Sequence, residues 1–239
     1  MIFSQVASVT LRALVGRRRT VLMILLAAVP ILVALLVRAN TVGIAEVGQT
    51  LDGLVVRIIL PLIALVFGTA ALGMELEDGT GVHLLTKPIS RLTIVLAKVG
   101  VAGALTAALV VPTTIIAAVL LARPFADVGA LAISLAAGTL VGSFLYAAIF
   151  AALGVITSRG LIIGLGYALI WEGLLAGILP GSQIFSVREY VRGIVNTLSP
   201  DTIDSIVGSG AIVYAAIALV AAIGIAAYRL ATYQVRGTD

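Results

Sequence analysis

The run TVLMILLAAVPILVALLV fills residues 20–37 without a charged side chain, and residues 17–19, directly before it, are all arginine. At about 1.5 Å per residue these 18 residues form a helix of about 27 Å, close to the roughly 30 Å of a bilayer's hydrocarbon core. Comparable apolar runs predict five more spans, at about 54–73, 94–121, 129–156, 161–179 and 210–228. The sequence therefore predicts an all-α polytopic membrane protein with six transmembrane helices in a single domain, 1–239.

Composition indicates the same class of protein. Hydrophobic residues make up 61% of the chain and charged residues 11%, with a mean hydropathy of +1.22. A soluble domain carries about a quarter charged residues because its surface faces water. Charge this sparse excludes a water-soluble globular fold. The chain has no cysteine, and its single histidine, His83, cannot form a multi-histidine metal site, so we expect neither disulfides nor a bound metal.

The distribution of basic residues predicts the orientation. With the N-terminus inside, ten of the 15 lysines and arginines face the cytoplasm and five face outward. The inner set is Arg12, Arg17, Arg18, Arg19, Lys87, Arg91, Lys98, Arg159, Arg229 and Arg236; the outer set is Arg38, Arg57, Arg123, Arg188 and Arg192. Basic residues collect on the cytoplasmic side of membrane proteins. We therefore expect a multi-pass protein of the cytoplasmic membrane with both termini inside.

Segments next to the spans carry further expectations. The first run is longer than a signal-peptide core and has no small-residue cleavage site after it, so we expect it to be retained as a span. Residues 1–19 show helical apolar spacing and predict an amphipathic helix at the inner interface. The third span is expected to start with a cytoplasmic turn around Lys98. Glycine and alanine are frequent in the spans and favour close helix packing.

The outer segment 181–208 has an amphipathic pattern. Val187, Val191 and Leu198 share an apolar face, and Arg188 lies on the opposite one. This spacing predicts a short helix at the outer surface, before the last span. It could cap the outer end of a pathway, or it could be a plain surface helix.

The cytoplasmic segment 74–93 is the predicted docking element. Acidic residues, including Asp78, stand where the second span ends, and Gly79 is expected to break the helix. Leu84 and Leu85 form a small apolar group ahead of Pro88. A short apolar segment between charged flanks at the membrane surface is suited to bind a cytoplasmic protein. The same pattern fits a loop that only connects two spans equally well.

With this loop the sequence resembles a known family. The stretch LPLIALVFGT at 60–69, followed by ELEDGT at 75–80 and LLTKPISR at 84–91, is similar to permease subunits of the type-2 ATP-binding-cassette transporters. The resemblance implies that this loop is a coupling helix seated in a groove of the ATPase. It therefore assigns ATPase coupling to a set of residues within the loop: Glu75, Asp78, Gly79, Thr80, Leu84, Leu85, Pro88 and Arg91.

Glu172 is the one ionisable residue deep in a predicted span. A carboxylate in hydrocarbon is costly, so we expect it to face the bundle interior. It could be a pathway residue, a proton-linked site, a polar latch to the outer helix, or a satisfied interhelical hydrogen bond. Arg57 has a similar outer depth and is a candidate partner, and Trp171 fits an interfacial aromatic belt. These three residues form the predicted gating group.

The resemblance implies the transmembrane permease of an exporter, without catalytic residues of its own. No GxxxxGK[ST] run is present to hold nucleotide phosphates, so ATP and Mg²⁺ are expected on a separate cytoplasmic ATPase. The expected partners are that ATPase, a second permease copy or a homologous permease that completes a dimer, and membrane lipids, but no nucleic acid. The alternatives are a secondary transporter and an intramembrane enzyme, neither coupled to an ATPase.

Overall fold

The computed structural model describes residues 2–37, 43–77, 90–122, 128–176, 181–200 and 202–232, with the side chains of 2, 3, 17 and 74–77 left out. These residues are almost entirely helical and include no β-strand. The predicted all-α fold is therefore confirmed. The helices, numbered here in chain order, are α1 Ile2–Leu14, α2 Arg17–Val37, α3 Ile44–Leu51, α4 Leu60–Glu77, α5 Arg91–Leu121, α6 Val128–Ile156, α7 Gly160–Gly166, α8 Val187–Leu198 and α9 Ala211–Ala231.

Two π-helical stretches complete the element order. The first π segment, Asp52–Ile59, joins α3 to α4, and the second π segment, Tyr167–Leu175, continues α7. Single turns of 3₁₀-helix occur at Ser182–Phe185 and Gly208–Gly210. A π-helix is rare and is usually one turn long, so two stretches of this length are unusual features of the fold.

Five helices within the described residues are long and apolar enough to cross a membrane. They are Arg18–Val37, Ile44–Gly73, Arg91–Leu121, Val128–Ile156 and Gly208–Ala231. Four of them match the predicted first, third, fourth and sixth spans to within a few residues. The expected turn around Lys98 is wrong, because α5 is one continuous helix from Arg91 onward.

The second span begins earlier than predicted. The helix starts at Ile44, ten residues before the expected start near Leu54. The apolar-run criterion missed this part because Glu46 and Asp52 interrupt it. Tertiary packing stabilises the segment, since Leu51 is fully buried in the core.

The predicted fifth span corresponds to the shorter apolar helix Gly160–Leu175. Its 16 residues would extend about 24 Å as an α-helix, less than the roughly 30 Å of the hydrocarbon core. The predicted end at Leu179 lies outside the described residues. The count of six spans therefore stays a prediction.

The core is organised around α6. This helix packs against α4, α5, α8 and α9, and its Tyr146 and Phe150 are fully buried. Glycines allow the close approach: a Cβ on Gly103 of α5 would meet the Phe144 ring of α6 at 2.5 Å, and one on Gly68 of α4 would meet Phe150 at 2.9 Å. Small residues let helices pack tightly where lipid supplies no hydrophobic drive.

The peripheral helices are α1, α2 and α9. Helix α1 packs against α5 with Thr10 and Leu14 buried, and it leaves Val9 and Arg12 exposed, as a helix at the membrane interface would. Only 22% of the most apolar stretch of α2 is buried, and the same holds for α9. Their exposed faces are apolar, so they are available to lipid or to another membrane protein.

Candidate functional site

The site is built around α8, which lies across the predicted outer end of the bundle. Its apolar face is buried, with Val187 and Val195 fully enclosed, and it packs on α6 and α9. The amphipathic helix predicted for this segment is therefore present. Its polar face, however, does not point into water. The side chains of Arg188 and Glu189 are only 17% and 7% exposed, because Arg188 pairs with an acidic residue of the second span and Glu189 pairs with Arg192.

That acidic residue is Asp52, at the start of the first π segment. It is 4% exposed and forms an ion pair with Arg188, whose Nη2 donates to Oδ2 and whose Nε donates to Oδ1 at 3.4 Å. Arg192 lies 3.8 Å from the same carboxylate and donates to Glu189 at 2.5 Å. Two arginines and two acids thus form one compact network, which fastens α8 to the second span.

The electrostatics of Arg188 reflect this network. Burial by itself would lower the pKa of Arg188, but the hydrogen bond and the negative charge of Asp52 outweigh burial and raise the pKa above its ordinary value. The guanidinium therefore stays charged at any physiological pH. Arg188 therefore supplies a fixed positive charge to the link between the two helices.

Glu172 makes a second link to α8. It is 1% exposed, and its Oε1 accepts from the Tyr167 hydroxyl at 2.9 Å and from the Val187 backbone N–H at 2.8 Å. Its Oε2 accepts from the Ser186 hydroxyl at 2.5 Å. Three donors converge on it, which suits a carboxylate, an acceptor at both oxygens.

Ser186 completes the cap of α8. It is the N-cap residue, and its Oγ accepts from the Glu189 backbone N–H at 3.3 Å. A helix N-terminus carries unsatisfied N–H groups and a partial positive charge, both of which favour an anion. Glu172 brings both of its carboxyl oxygens to that end from another helix. This geometry fits a polar latch and equally a satisfied interhelical hydrogen bond, and the gating role of Glu172 stays a prediction.

Aromatic rings surround the latch. Tyr146 is fully buried, and its hydroxyl lies near the Glu172 carboxylate without meeting the geometry of a hydrogen bond. Its ring stacks on Phe150 with centroids 5.8 Å apart, and Phe150 meets Tyr167 edge-on at 6.2 Å. These rings exclude water from one side of the carboxylate, so its hydrogen bonds form in a low-dielectric environment.

Arg57 and Glu172 have similar predicted depths in the membrane, but they do not form an ion pair. Its Nη2 donates to the backbone carbonyl of Gly173, the next residue along the second π segment. The expected Arg57–Glu172 pair is therefore wrong, because Tyr167, Ser186 and the amide of Val187 already surround the carboxylate within the described chain. The arginine instead joins the two π segments directly.

Trp171 lies on the second π segment and is half-buried, and its Nε1 has no hydrogen-bond partner among the described residues. Its assignment to an aromatic belt stays a prediction. The two π segments pack against each other, and each carries one acidic residue, Asp52 or Glu172, that bonds to α8. Because π-helical turns occur frequently at functional sites, this junction is the candidate functional site.

The predicted docking residues fall mostly outside the described chain. This applies to Asp78, Gly79, Thr80, Leu84, Leu85 and Pro88. Glu75 lies in the last turn of α4, and Arg91 begins α5 directly after Ser90, whose Oγ accepts from the Thr93 N–H at 3.2 Å. The role of this loop stays a prediction.

Sequence reasoning missed Asp52 and did not treat Arg188 or Ser186 as site residues. One signal was available for Ser186, because Ser186-Val-Arg-Glu189 has the S-x-x-E pattern of a helix N-terminus. No local signal marks Asp52. It lies next to Arg188 only through the packing of α8 across the second span, 136 residues apart in sequence.

These features define a polytopic all-α membrane protein with a polar junction held between its spans. Residues 15–174 match the family model of the ABC-2 family transporter protein. The match covers more than half of the chain, so the chain belongs to this family and is an ATP-binding-cassette transporter permease. The family implies association with an ATP-binding subunit. No curated protein matches the chain.

Proposed function

We propose that this chain is the transmembrane subunit of an exporter in the cytoplasmic membrane, driven by ATP that a separate cytoplasmic ATPase hydrolyses with Mg²⁺. The chain itself binds no nucleotide and converts the motion of the ATPase into opening of a pathway. A second permease, identical or homologous, completes that pathway. Membership of the permease family supports the transport role.

The observation that carries the proposal is the continuity of one helix. The run from Ile44 to Glu77 crosses the whole bundle through α3, the first π segment and α4. Asp52 stands near one end, and the docking loop leaves from the other. At about 1.5 Å per residue, Asp52 and Glu77 are about 37 Å apart along this helix. A push on the loop would therefore move the outer ion pair as part of the same helix.

At the inner end, α4 and α5 form the pair of helices that the ATPase would move. They pack against each other, and the buried Lys98 of α5 donates from Nζ to the carbonyl of Ala71 on α4 at 2.8 Å. A charged hydrogen bond inside a bundle holds its two helices in register. Force applied to the connecting loop would reach both helices together.

At the outer end, α8 is the proposed gate. Asp52 holds its polar face, and Glu172 holds its N-terminus. The first contact belongs to the second span and the second to the predicted fifth span. Relative movement of these spans would strain one contact or the other and tilt α8, which would open the pathway outward. Binding energy at the ATPase would thus select between two positions of the gate.

Helices α2 and α9 leave large apolar faces exposed, which suits a partner permease as well as lipid. Side chains such as Leu36 and Val220 are 81% and 71% exposed. A pathway along one six-span chain would be open to lipid on one side. A second permease packed against the apolar face of α2 or α9 would close the open side of the pathway.

The test is purification of the tagged chain after co-expression with an ATPase encoded in the neighbouring reading frame. We expect the two to co-purify, the complex to hydrolyse ATP, and the permease alone to show no hydrolysis. Transport in vesicles should stop when the ATPase carries an inactive phosphate-binding loop. Transport that persists without any ATPase and follows an ion gradient would overturn the proposal in favour of a secondary transporter.

A further inference from the structure

A half-open groove of about 520 Å³ lies at the opposite end of the molecule from the gate. One wall is the first turns of α2, and the other is α4 with the start of α7. The groove exists because α2 packs mainly against α5 and has few contacts with α4. Its volume is typical of small-ligand sites.

The floor of the groove is formed by glycines. Gly73 of α4, Gly154 of α6 and Gly160 of α7 meet so closely that a Cβ on Gly154 would lie 2.9 Å from the Thr69 carbonyl, and one on Gly160 would lie 3.0 Å from Gly154. Side chains are therefore excluded there. The backbone forms the base of the groove, and polar peptide groups are close to any occupant.

The lining is polar at one end and apolar along its length. Arg19 lies in the wall together with Thr157 and Ser158, which supply hydroxyl groups. Leu22 and Leu161 form the apolar part, and they are 60% and 51% exposed, respectively. The groove therefore continues onto the outer apolar faces of α2 and α7, which face lipid in a membrane.

We propose that this groove binds the headgroup of an anionic phospholipid, with the acyl chains lying along α2 and α7. A guanidinium has five N–H donors in a planar fork that matches phosphate oxygens, so Arg19 can keep a contact within the protein and still bind a phosphate. The hydroxyl-bearing turn at 157–158 suits the glycerol of the headgroup. The continuous apolar walls favour a lipid over a free anion.

The predicted orientation places this groove at the inner leaflet, where anionic lipids attract basic residues. A net negative lipid is favoured over a zwitterionic one because the Arg19 guanidinium would repel a quaternary amine. The site is distinct from the gate and goes beyond the proposed transport function. Lipid binding to the permease alone requires neither the ATPase nor a particular orientation.

The test is a titration of the purified full chain in neutral detergent with phosphatidylglycerol, read out as bound lipid by native mass spectrometry. Phosphatidylcholine is the zwitterionic reference, and glycerol phosphate is the headgroup without chains. We expect one phosphatidylglycerol to bind in preference to both. Arg19→Gln should weaken it about tenfold, the effect of losing one charge-assisted hydrogen bond.

Arg18→Gln is the matched control, since Arg18 is exposed on the same turn and does not line the groove. It should leave the affinity unchanged. Ala70→Leu fills the groove without changing any charge and should abolish preferential binding. Melting temperatures of Arg19→Gln and Ala70→Leu check that both variants are folded. Equal losses from Arg18→Gln and Arg19→Gln, full binding by Ala70→Leu, or glycerol phosphate binding as tightly as the lipid would each overturn the proposal.

Discussion

Asp52, near the start of the second span, forms a buried ion pair with Arg188 of α8, and this pair fixes the outer helix on the bundle. The two residues are 136 positions apart, and neither has another opposite charge as close within the described chain. A charge in the hydrocarbon region is expensive unless it is paired. The pair therefore explains how the second span can carry an aspartate at position 52.

Breaking this pair should destabilise the protein strongly. Asp52→Asn leaves Arg188 without its acidic partner, at a cost of about 3–5 kcal/mol. Arg188→Gln should cost less, because Arg192 remains 3.8 Å from the Asp52 carboxylate. The double variant should be less destabilised than the sum of the two, and thermal unfolding in detergent measures that coupling. Asp204→Asn is the control, since Asp204 is exposed in the same outer segment. Additive losses from the two single variants would show that the pair contributes no coupling.

Removing the charge of Glu172 should loosen α8 without preventing assembly. In Glu172→Gln the amide keeps one acceptor oxygen but turns a donor toward the converging Tyr167, Ser186 and Val187 donors, at a cost of about 1–3 kcal/mol. We expect lower transport and faster proteolysis of the outer segment, with ATPase co-purification intact. Glu172→Leu should destabilise the protein further. A glutamine variant that is silent in both transport and stability would remove Glu172 from the gating group.

Arg57 should matter through its backbone contact. Arg57→Gln removes the charged donor that bonds the Gly173 carbonyl, a contact worth about 1.5–3 kcal/mol. Since this bond joins the two π segments, we expect reduced transport together with a lower melting temperature. Arg159→Gln is the control, because Arg159 is exposed at the N-cap of α7, at the far end of the helix that carries Gly173. Equal effects from both variants would point to overall charge instead of the π junction.

The docking loop should respond to charge reversal and to insertion. Glu75→Lys, or one residue inserted at Gly79, is expected to release the ATPase or to uncouple hydrolysis from transport while the permease stays folded in the membrane. Glu46→Lys makes the same charge change at the exposed, opposite end of the helix and should leave co-purification unaffected. Normal co-purification and coupled hydrolysis in both loop variants would refute the docking assignment.

The orientation should follow the basic residues. Reporter domains fused after Gly237 are expected to be active inside, and those inserted between Gln183 and Ser209 outside, because the arginines of residues 17–19 hold the N-terminus in the cytoplasm. Immunoblots for the fusion proteins confirm equal expression. One well-expressed fusion with the opposite location would contradict the predicted topology.

Local patterns in the chain are enough to define the class of fold. Apolar runs such as 20–37 can satisfy their backbone groups in lipid only as helices, so length and hydropathy suffice to place most of the spans. The amphipathic spacing around Val187 and Val191 likewise identifies α8, since helical periodicity is a local property. The family resemblance at 60–91 also rests on contiguous residues.

The partners of the polar residues, by contrast, depend on how the helices pack. In the sequence, Asp52 interrupts the apolar run of the second span, and only the folded chain places Arg188 beside it. Likewise, only the folded chain brings the N-terminus of α8 to Glu172. Arg57 donates to a backbone carbonyl rather than to Glu172, whose carboxylate already accepts from three donors. Such contacts join distant parts of the chain. Their pairing depends on packing geometry, which no local pattern of hydropathy encodes.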